Sequence, residues 1–150
     1  MTITEHLCTD RPTDASLASF SAVTNVTLPD DYKDFLKREN GGRPAPRKFK
    51  FTTRQGRRED GAVHYFFGLH EGLIGNLKGT LDRFRQRIPT GYLPVATDPF
   101  GNLILLKVTA PSLGSMHFWD HEKEEDLPTL KNVSLIAGSF LEFIEGLDTA

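Results

Sequence analysis

The stretch that decides the fold reads Leu28-Pro29-Asp30-Asp31-Tyr32-Lys33-Asp34-Phe35-Leu36, and Asn40-Gly41-Gly42 follows it. Its apolar residues recur at helical spacing, which predicts a helix over residues 29–39 with one buried face. Pro29 suits the first helical position, because its missing N–H would be unpaired there anyway. Acidic residues at the start and basic residues at the end complement the helix dipole. Gly41 tolerates the left-handed backbone that ends many helices, so the helix is predicted to stop there.

Outward from this helix, apolar periodicity predicts the remaining elements. Further helices are predicted over residues 15–23 and 76–88, and a last helix begins at Ser139, whose hydroxyl forms a capping box with Glu142. Strands are predicted at residues 49–53, 63–69, 93–96, 103–108 and 115–119, with a polar loop over 54–61 and a short apolar run at 133–136. No strand–helix–strand alternation is sustained, so the fold class is α+β, a mostly antiparallel sheet with packed helices. We expect a loosely ordered N-terminal segment, residues 1–14, before a single domain, residues 15–150.

Size and composition exclude several classes of protein. The chain has 150 residues, enough for one domain with its own core, and 38% of them are hydrophobic. Cys8 is the only cysteine, so no internal disulfide and no cysteine-based zinc site can form. No signal peptide and no bilayer-spanning apolar stretch are recognisable, which favours a cytoplasmic protein without membrane association. A net charge of -2 argues against direct binding of nucleic acid.

Several short motifs occur in one order along the chain. They are the helix and Asn-Gly-Gly turn quoted above, Phe67-Gly68-Leu69, Leu93-Pro94-Val95-Ala96 leading to Asp98, Gly101-Asn102, Phe118-Trp119-Asp120-His121-Glu122, and Ser139-Phe140-Leu141-Glu142-Phe143-Ile144. Their order and spacing resemble the SUKH superfamily, which includes fungal cell-wall-assembly regulators and many bacterial proteins. The resemblance covers residues 15–147. The strongly basic stretch over residues 43–58 departs from the family pattern.

The resemblance implies a function that depends on binding. Bacterial proteins similar to this one are mostly immunity proteins that bind and inactivate toxin domains, often nucleases or deaminases. Fungal relatives act as regulatory scaffolds, and neither role involves catalysis or a cofactor. We therefore expect a non-enzymatic domain that binds a cognate toxin, with a regulatory domain for an endogenous partner as the alternative.

Two charged stretches are the candidates for partner binding. The acidic one contains Asp120, His121, Glu122, Glu124, Glu125 and Asp126. Such a run is usually a solvated surface, but nucleases expose basic grooves and opposite charge speeds encounter. The basic stretch supplies the candidates Arg54, Arg57 and Arg58. Its Phe49 and Phe51 alternate with basic residues, as in a half-buried strand. Packing in the core is therefore the first explanation for these rings, ahead of stacking on nucleobases.

A small metal-dependent hydrolase is the sharpest catalytic alternative. His117 and His121 are four residues apart, a spacing that places two imidazoles on one face of a helix. On a strand the same residues stand about 13 Å apart, which is too far for one ion. Cys8 lacks a recognisable activating base, and no Gly-x-Ser-x-Gly elbow is present. The prediction is therefore no catalytic residue and no metal ligand.

Overall fold

The predicted central helix is present and anchors the core. The computed structural model describes residues 1–149, and in it α2 runs over Asp30–Arg38. Tyr32, Phe35 and Leu36 have no exposed surface, and Leu28 is buried beside them. The ring of Phe140 lies 5.0 Å from the rings of both Tyr32 and Phe35. The spacing of apolar residues in α2 thus joins the first third of the chain to its last helix.

The secondary-structure elements follow the chain in this order. The helices are α1 (Asp14–Thr24), α2, α3 (Leu77–Phe84) and α4 (Phe140–Glu145), with a short 3₁₀ helix at His121–Lys123. The strands are β1 (Thr2–Glu5), β2 (Arg43–Ala45), β3 (Lys48–Thr52), β4 (Arg58–Ala62), β5 (Tyr65–Phe66), β6 (Tyr92–Thr97), β7 (Leu103–Lys107), β8 (Met116–Trp119) and β9 (Val133–Ala137).

The strands form one main sheet and two small ones. Five antiparallel strands pair in the order β5-β6-β7-β8-β9, while β1 pairs with β2 and β3 with β4. Strand β7 is buried over Leu103, Ile104, Leu105 and Leu106, as its continuous apolar run predicts for a strand covered on both faces. The architecture is a single compact α+β domain, as predicted.

The Asn-Gly-Gly turn after α2 does more than end the helix. Asn40 has a positive φ of 50°, and Gly41 and Gly42 have φ values of 90° and 115°. A side chain at Gly41 would meet the backbone oxygens of Phe66 and Phe67 at 2.7 and 2.8 Å. Glycine is therefore required here both for its backbone conformation and for close approach to the end of β5.

The structure differs from the expectation for the N-terminal segment. Thr2–Glu5 forms β1, which pairs with β2, and Ile3 is 7% exposed. The β-branched Thr-Ile-Thr sequence suits a strand. The strand forms because β2 offers an unpaired edge and because Ile3 packs against the core.

Three element boundaries also differ. The predicted polar loop over 54–61 contains most of β4, the predicted strand over 63–69 forms a regular strand only at Tyr65–Phe66, and α3 ends at Phe84 instead of Ile88. The predicted cap of α4 is present, since Ser139 Oγ accepts from the Glu142 amide at 3.0 Å. The Glu142 carboxylate accepts from Gly138 N, so the reciprocal bond is shifted by one residue. Within residues 1–149, no helix has the length and apolar character needed to cross a bilayer.

Candidate protein-binding surface

The acidic stretch is an ordered segment at one end of the main sheet. It leaves β8 at Asp120, whose carboxylate accepts from the Glu122 amide at 3.0 Å and opens the 3₁₀ helix. Asp120 N donates to the Asn132 carbonyl at 3.0 Å, and Asn132 Nδ2 donates back to the Asp120 carbonyl at 2.9 Å. These bonds hold the start of the acidic stretch against the residue that precedes β9.

Basic residues of the chain itself neutralise part of the acidic stretch. Arg87 makes two hydrogen bonds to the Glu124 carboxylate, at 2.9 and 2.8 Å, and its guanidinium lies 4.5 Å from the centre of the Phe84 ring. The hydrogen bond between them lowers the pKa of Glu124 and raises the pKa of Arg87. Lys131 lies 3.4 Å from Glu125.

Two acids of the stretch keep their charge unpaired. Asp120 has only a distant partner, Lys123 at 4.0 Å. Glu122 and Asp126 are exposed and form no ion pair with another residue in the described part of the chain. These two carboxylates therefore supply the local charge that remains free for a partner.

His121 connects the acidic stretch to the turn between β6 and β7. Its ring Nε2 lies 2.8 Å from the Phe100 carbonyl, which accepts the ring N–H, and its amide donates to Asn102 Oδ1 at 3.0 Å. The buried carboxylate of Asp98 accepts from the amides of Phe100 and Asn102, both at 2.8 Å. The Asp98 side chain therefore holds the backbone of the turn, and the Asn102 side chain joins that turn to His121.

This fixed turn holds an aromatic side chain in the solvent. Phe100 is 78% exposed at the tip of the turn. The next residue, Gly101, lines a groove of about 470 Å³ whose other side is formed by residues 71–76 and α3. Leu73 and Ile74 also line the groove, and they are 102% and 65% exposed. Exposed apolar groups held on fixed backbone are typical of binding surfaces, because little entropy is lost when they become buried.

Phe100, Leu73 and Ile74 were not among the residues predicted to bind a partner. The available signal was an apolar residue at the tip of a short turn, Phe100, and an apolar pair between glycines, Leu73 and Ile74. Such positions have no neighbouring layer that could bury them.

The structure separates the three candidate arginines. The Arg54 amide donates to Ser134 Oγ and its Nε donates to the Val133 carbonyl, both at 3.0 Å, so Arg54 lies against the start of β9. The neighbouring Gln55 and Asp120 line one shallow crevice, which brings the tip of the β3–β4 hairpin beside the acidic stretch. Arg57 precedes β4 and Arg58 begins it, and both are exposed.

A Ser–His pair at the start of β8, Ser115 and His117, has the distance but not the surroundings of a nucleophilic site. His117 Nε2 lies 2.8 Å from Ser115 Oγ, but that hydroxyl donates to the Ser112 carbonyl at 2.7 Å. Burial lowers the pKa of His117 to about 4, and its Nδ1 is buried with no hydrogen-bond partner among residues 1–149. Without a group to orient the imidazole, this pair lacks the third member of a triad.

The histidines of the metal hypothesis do not converge. His117 lies in β8, and His121 lies on the 3₁₀ helix with its ring bonded to Phe100. In the described residues, no three His, Cys, Asp or Glu side chains are grouped so that they could hold a metal ion. Trp119 is fully buried against Phe84, as expected for a core residue.

Comparison with known proteins agrees with the order of the motifs. The chain is 31% identical over 134 residues to the SPbeta prophage-derived uncharacterized protein YokK of Bacillus subtilis (strain 168), a match that covers 80% of this chain. The chain spans 66% of that relative's length. The model of the SMI1 / KNR4 family (SUKH-1) matches residues 11–146. Since this match covers nearly the whole domain, the chain belongs to the SMI1 / KNR4 family (SUKH-1).

Proposed function

We propose that this chain is a non-enzymatic immunity protein that binds a cognate bacterial toxin in the cytoplasm and neutralises it. The toxin is of the nuclease or deaminase type, because such enzymes expose basic surfaces that hold nucleic acid. Family membership supports a protein-binding domain. The observation that carries the proposal is the position of the unpaired Glu122 next to His121, whose ring holds the exposed aromatic tip.

The acids and the apolar groups contribute to binding in different ways. Glu122 adjoins His121, whose ring holds the Phe100 turn, so one short segment links the free charge to the exposed aromatic. Unpaired acids attract a basic toxin surface and raise the association rate. Phe100, Leu73 and Ile74 become buried in the complex and slow its dissociation. Occupying the basic groove of the toxin would exclude its nucleic-acid substrate.

The experiment tests the proteins encoded beside the gene for this chain as candidate toxins. Co-expression with the wild-type chain should restore growth, and the purified proteins should form a complex. Glu122→Lys combined with Asp126→Lys should slow association about tenfold at low salt and weaken protection. Phe100→Ala should mainly raise the dissociation rate, because it removes an apolar anchor.

A matched control changes two exposed acids elsewhere. Asp10→Lys with Glu145→Lys alters the net charge equally, and neither carboxylate makes an ion pair with a described residue. This control should associate almost as fast as the wild type. Equal slowing of both double variants would show that net charge matters and the acidic segment does not. Failure of the wild type to bind or protect would refute the proposed function itself.

A further inference from the structure

The β3–β4 hairpin carries a second charged surface, of the opposite sign. We define the basic hairpin face as the exposed side chains of Lys48, Lys50 and Arg58, with Arg47 and Arg57 at its ends. None of these five cations forms an ion pair with a described residue, although the chain as a whole has a net charge of -2. The hairpin therefore concentrates unpaired positive charge on a protein with an acidic surplus.

Strand register places Lys48, Lys50 and Arg58 on one side of the hairpin. Lys48 pairs with Ala62, Lys50 with Asp60, and Thr52 with Arg58. Side chains two residues apart on a strand stand about 7 Å apart on the same face, within the Debye length of about 8 Å at physiological salt. The cations consequently repel one another, and the acids near them are Asp60, which lies opposite Lys50, and Asp148, whose backbone pairs with that of Lys48. An anionic partner would relieve that repulsion.

The opposite side of the hairpin excludes a stacking platform for bases. Phe49 and Phe51 are 4% and 3% exposed, and the Phe51 ring stacks on Phe118 at 4.7 Å. A side chain at Gly61 would collide with the Phe49 ring, so that ring covers the glycine directly. Proteins that bind single-stranded nucleic acid combine cations with exposed aromatic rings. The basic hairpin face has cations and no aromatic ring, which favours a protein partner.

The outer edge of β4 offers hydrogen bonds to an extended polypeptide. Thr53 N bonds the Arg57 carbonyl at 2.7 Å and Val63 N bonds the Arg47 carbonyl at 2.9 Å. In an antiparallel pair, residues whose backbone groups bond the partner strand alternate with residues whose groups point outward. These two bonds set that alternation in β4, so the N–H and C=O groups of Arg58, Asp60 and Ala62 point away from β3. No strand pairs with that edge within residues 1–149. A free edge beside cations can accept an added strand that carries acids.

We propose that the basic hairpin face binds an extended acidic segment of a protein partner. The free edge of β4 supplies backbone hydrogen bonds, and Lys48, Lys50 and Arg58 supply charge. This surface is distinct from the acidic stretch, so the proposal stands independently of toxin neutralisation. It also gives a role to the basic residues that depart from the family pattern.

Fluorescence anisotropy of a labelled peptide of alternating glutamate and threonine tests the proposal on the full chain. The peptide should bind at low salt, and the same peptide with glutamine in place of glutamate should not. The triple variant Lys48→Glu, Lys50→Glu, Arg58→Glu should weaken binding by at least about tenfold, because three attractions become repulsions. A control triple variant makes the same change of net charge outside the hairpin, with Lys78→Glu, Arg85→Glu and Arg38→Glu. This control should bind the peptide as the wild type does.

Three results would overturn the proposal. They are no peptide binding by the wild type at low salt, equal loss in the two triple variants, and tighter binding of a single-stranded DNA than of the acidic peptide. The last result would assign the surface to nucleic acid. Thermal unfolding curves show whether both triple variants are folded. If the hairpin triple variant is not, the single variant Lys50→Glu takes its place, and it should weaken peptide binding severalfold.

Discussion

Replacing Asn40 tests the junction that the Asn-Gly-Gly turn builds. Asn40 is 1% exposed, and its side-chain amide makes three hydrogen bonds to distant backbone groups. Nδ2 donates to the carbonyls of Asp10 and Leu69 at 3.0 and 3.1 Å, and Oδ1 accepts from the Leu69 amide at 2.8 Å. One side chain thus joins the N-terminal segment, the end of α2 and the loop after β5.

The expected cost follows from these contacts. Three hydrogen bonds at about 1 kcal/mol each give about 3 kcal/mol. The positive φ adds about 1 kcal/mol for alanine, which disfavours the left-handed region. Asn40→Ala should therefore lower the free energy of unfolding by about 4 kcal/mol. Asn40→Gly should lose about 3 kcal/mol, since glycine adopts this φ without strain.

Urea denaturation measures both variants. Trp119 is the only tryptophan and is fully buried, so its fluorescence reports unfolding of the core. For a domain of this size, each kcal/mol lowers the Tm by about 2–4 °C, and the loss is visible in thermal melts as well. If the free energy of unfolding of Asn40→Gly lies within about 0.5 kcal/mol of the wild-type value, the side-chain hydrogen bonds do not stabilise the junction, and the reasoning is refuted.

Two further predictions concern titrating groups. Burial lowers the pKa of His117 to about 4, below the unfolded value of about 6.5, so its contribution to stability is complete above pH ~6.5. That contribution, about 3 kcal/mol, is lost as the pH falls towards 4. In urea denaturation, the free energy of unfolding of His117→Gln should therefore depend less on pH than that of the wild type. An unchanged pH dependence would contradict this prediction. Arg87 also lowers the pKa of Glu124, so their ion pair stabilises the fold above the unfolded pKa of Glu and is lost as the pH falls through the lower folded value. Because the Arg87 side chain is 45% exposed, solvent screens this ion pair. Glu124→Gln should lower the free energy of unfolding by only about 0.5 kcal/mol at neutral pH, and by less in high salt. A larger, salt-independent loss would show that the pair acts through packing.

Local rules predict those parts of the fold that depend on near neighbours. The buried face of α2 follows from spacing alone, and the cap at Ser139 follows from two residues three apart. Strand β4 escapes such rules because its sequence, Arg-Glu-Asp-Gly-Ala, has no apolar alternation. It is a strand because β3 pairs with it through a tight turn, and because the Phe49 ring covers Gly61 in place of a side chain.

The candidate surface also has features that local sequence predicts and features that depend on distant residues. The acidic stretch is visible in the sequence, but the residues that neutralise it are not adjacent to it. Arg87 comes from the segment after α3, 37 residues before Glu124, and no spacing rule connects the two. The exposed state of Phe100 depends on the His121 ring, which donates to the Phe100 carbonyl and which only the folded chain brings to this turn.

The internal ion pairs also change which acids can report on partner binding. Reversing Glu124 would place a cation against Arg87, whose guanidinium also lies over the rings of Phe84 and Trp119. Any loss of affinity would then combine a lost attraction with a displaced segment. Glu122 and Asp126 have no cation partner in the described chain, so changing them alters the field that the proposed partner meets while leaving these contacts intact. An acidic run is thus two kinds of residue, those that hold the surface in place and those that present its charge.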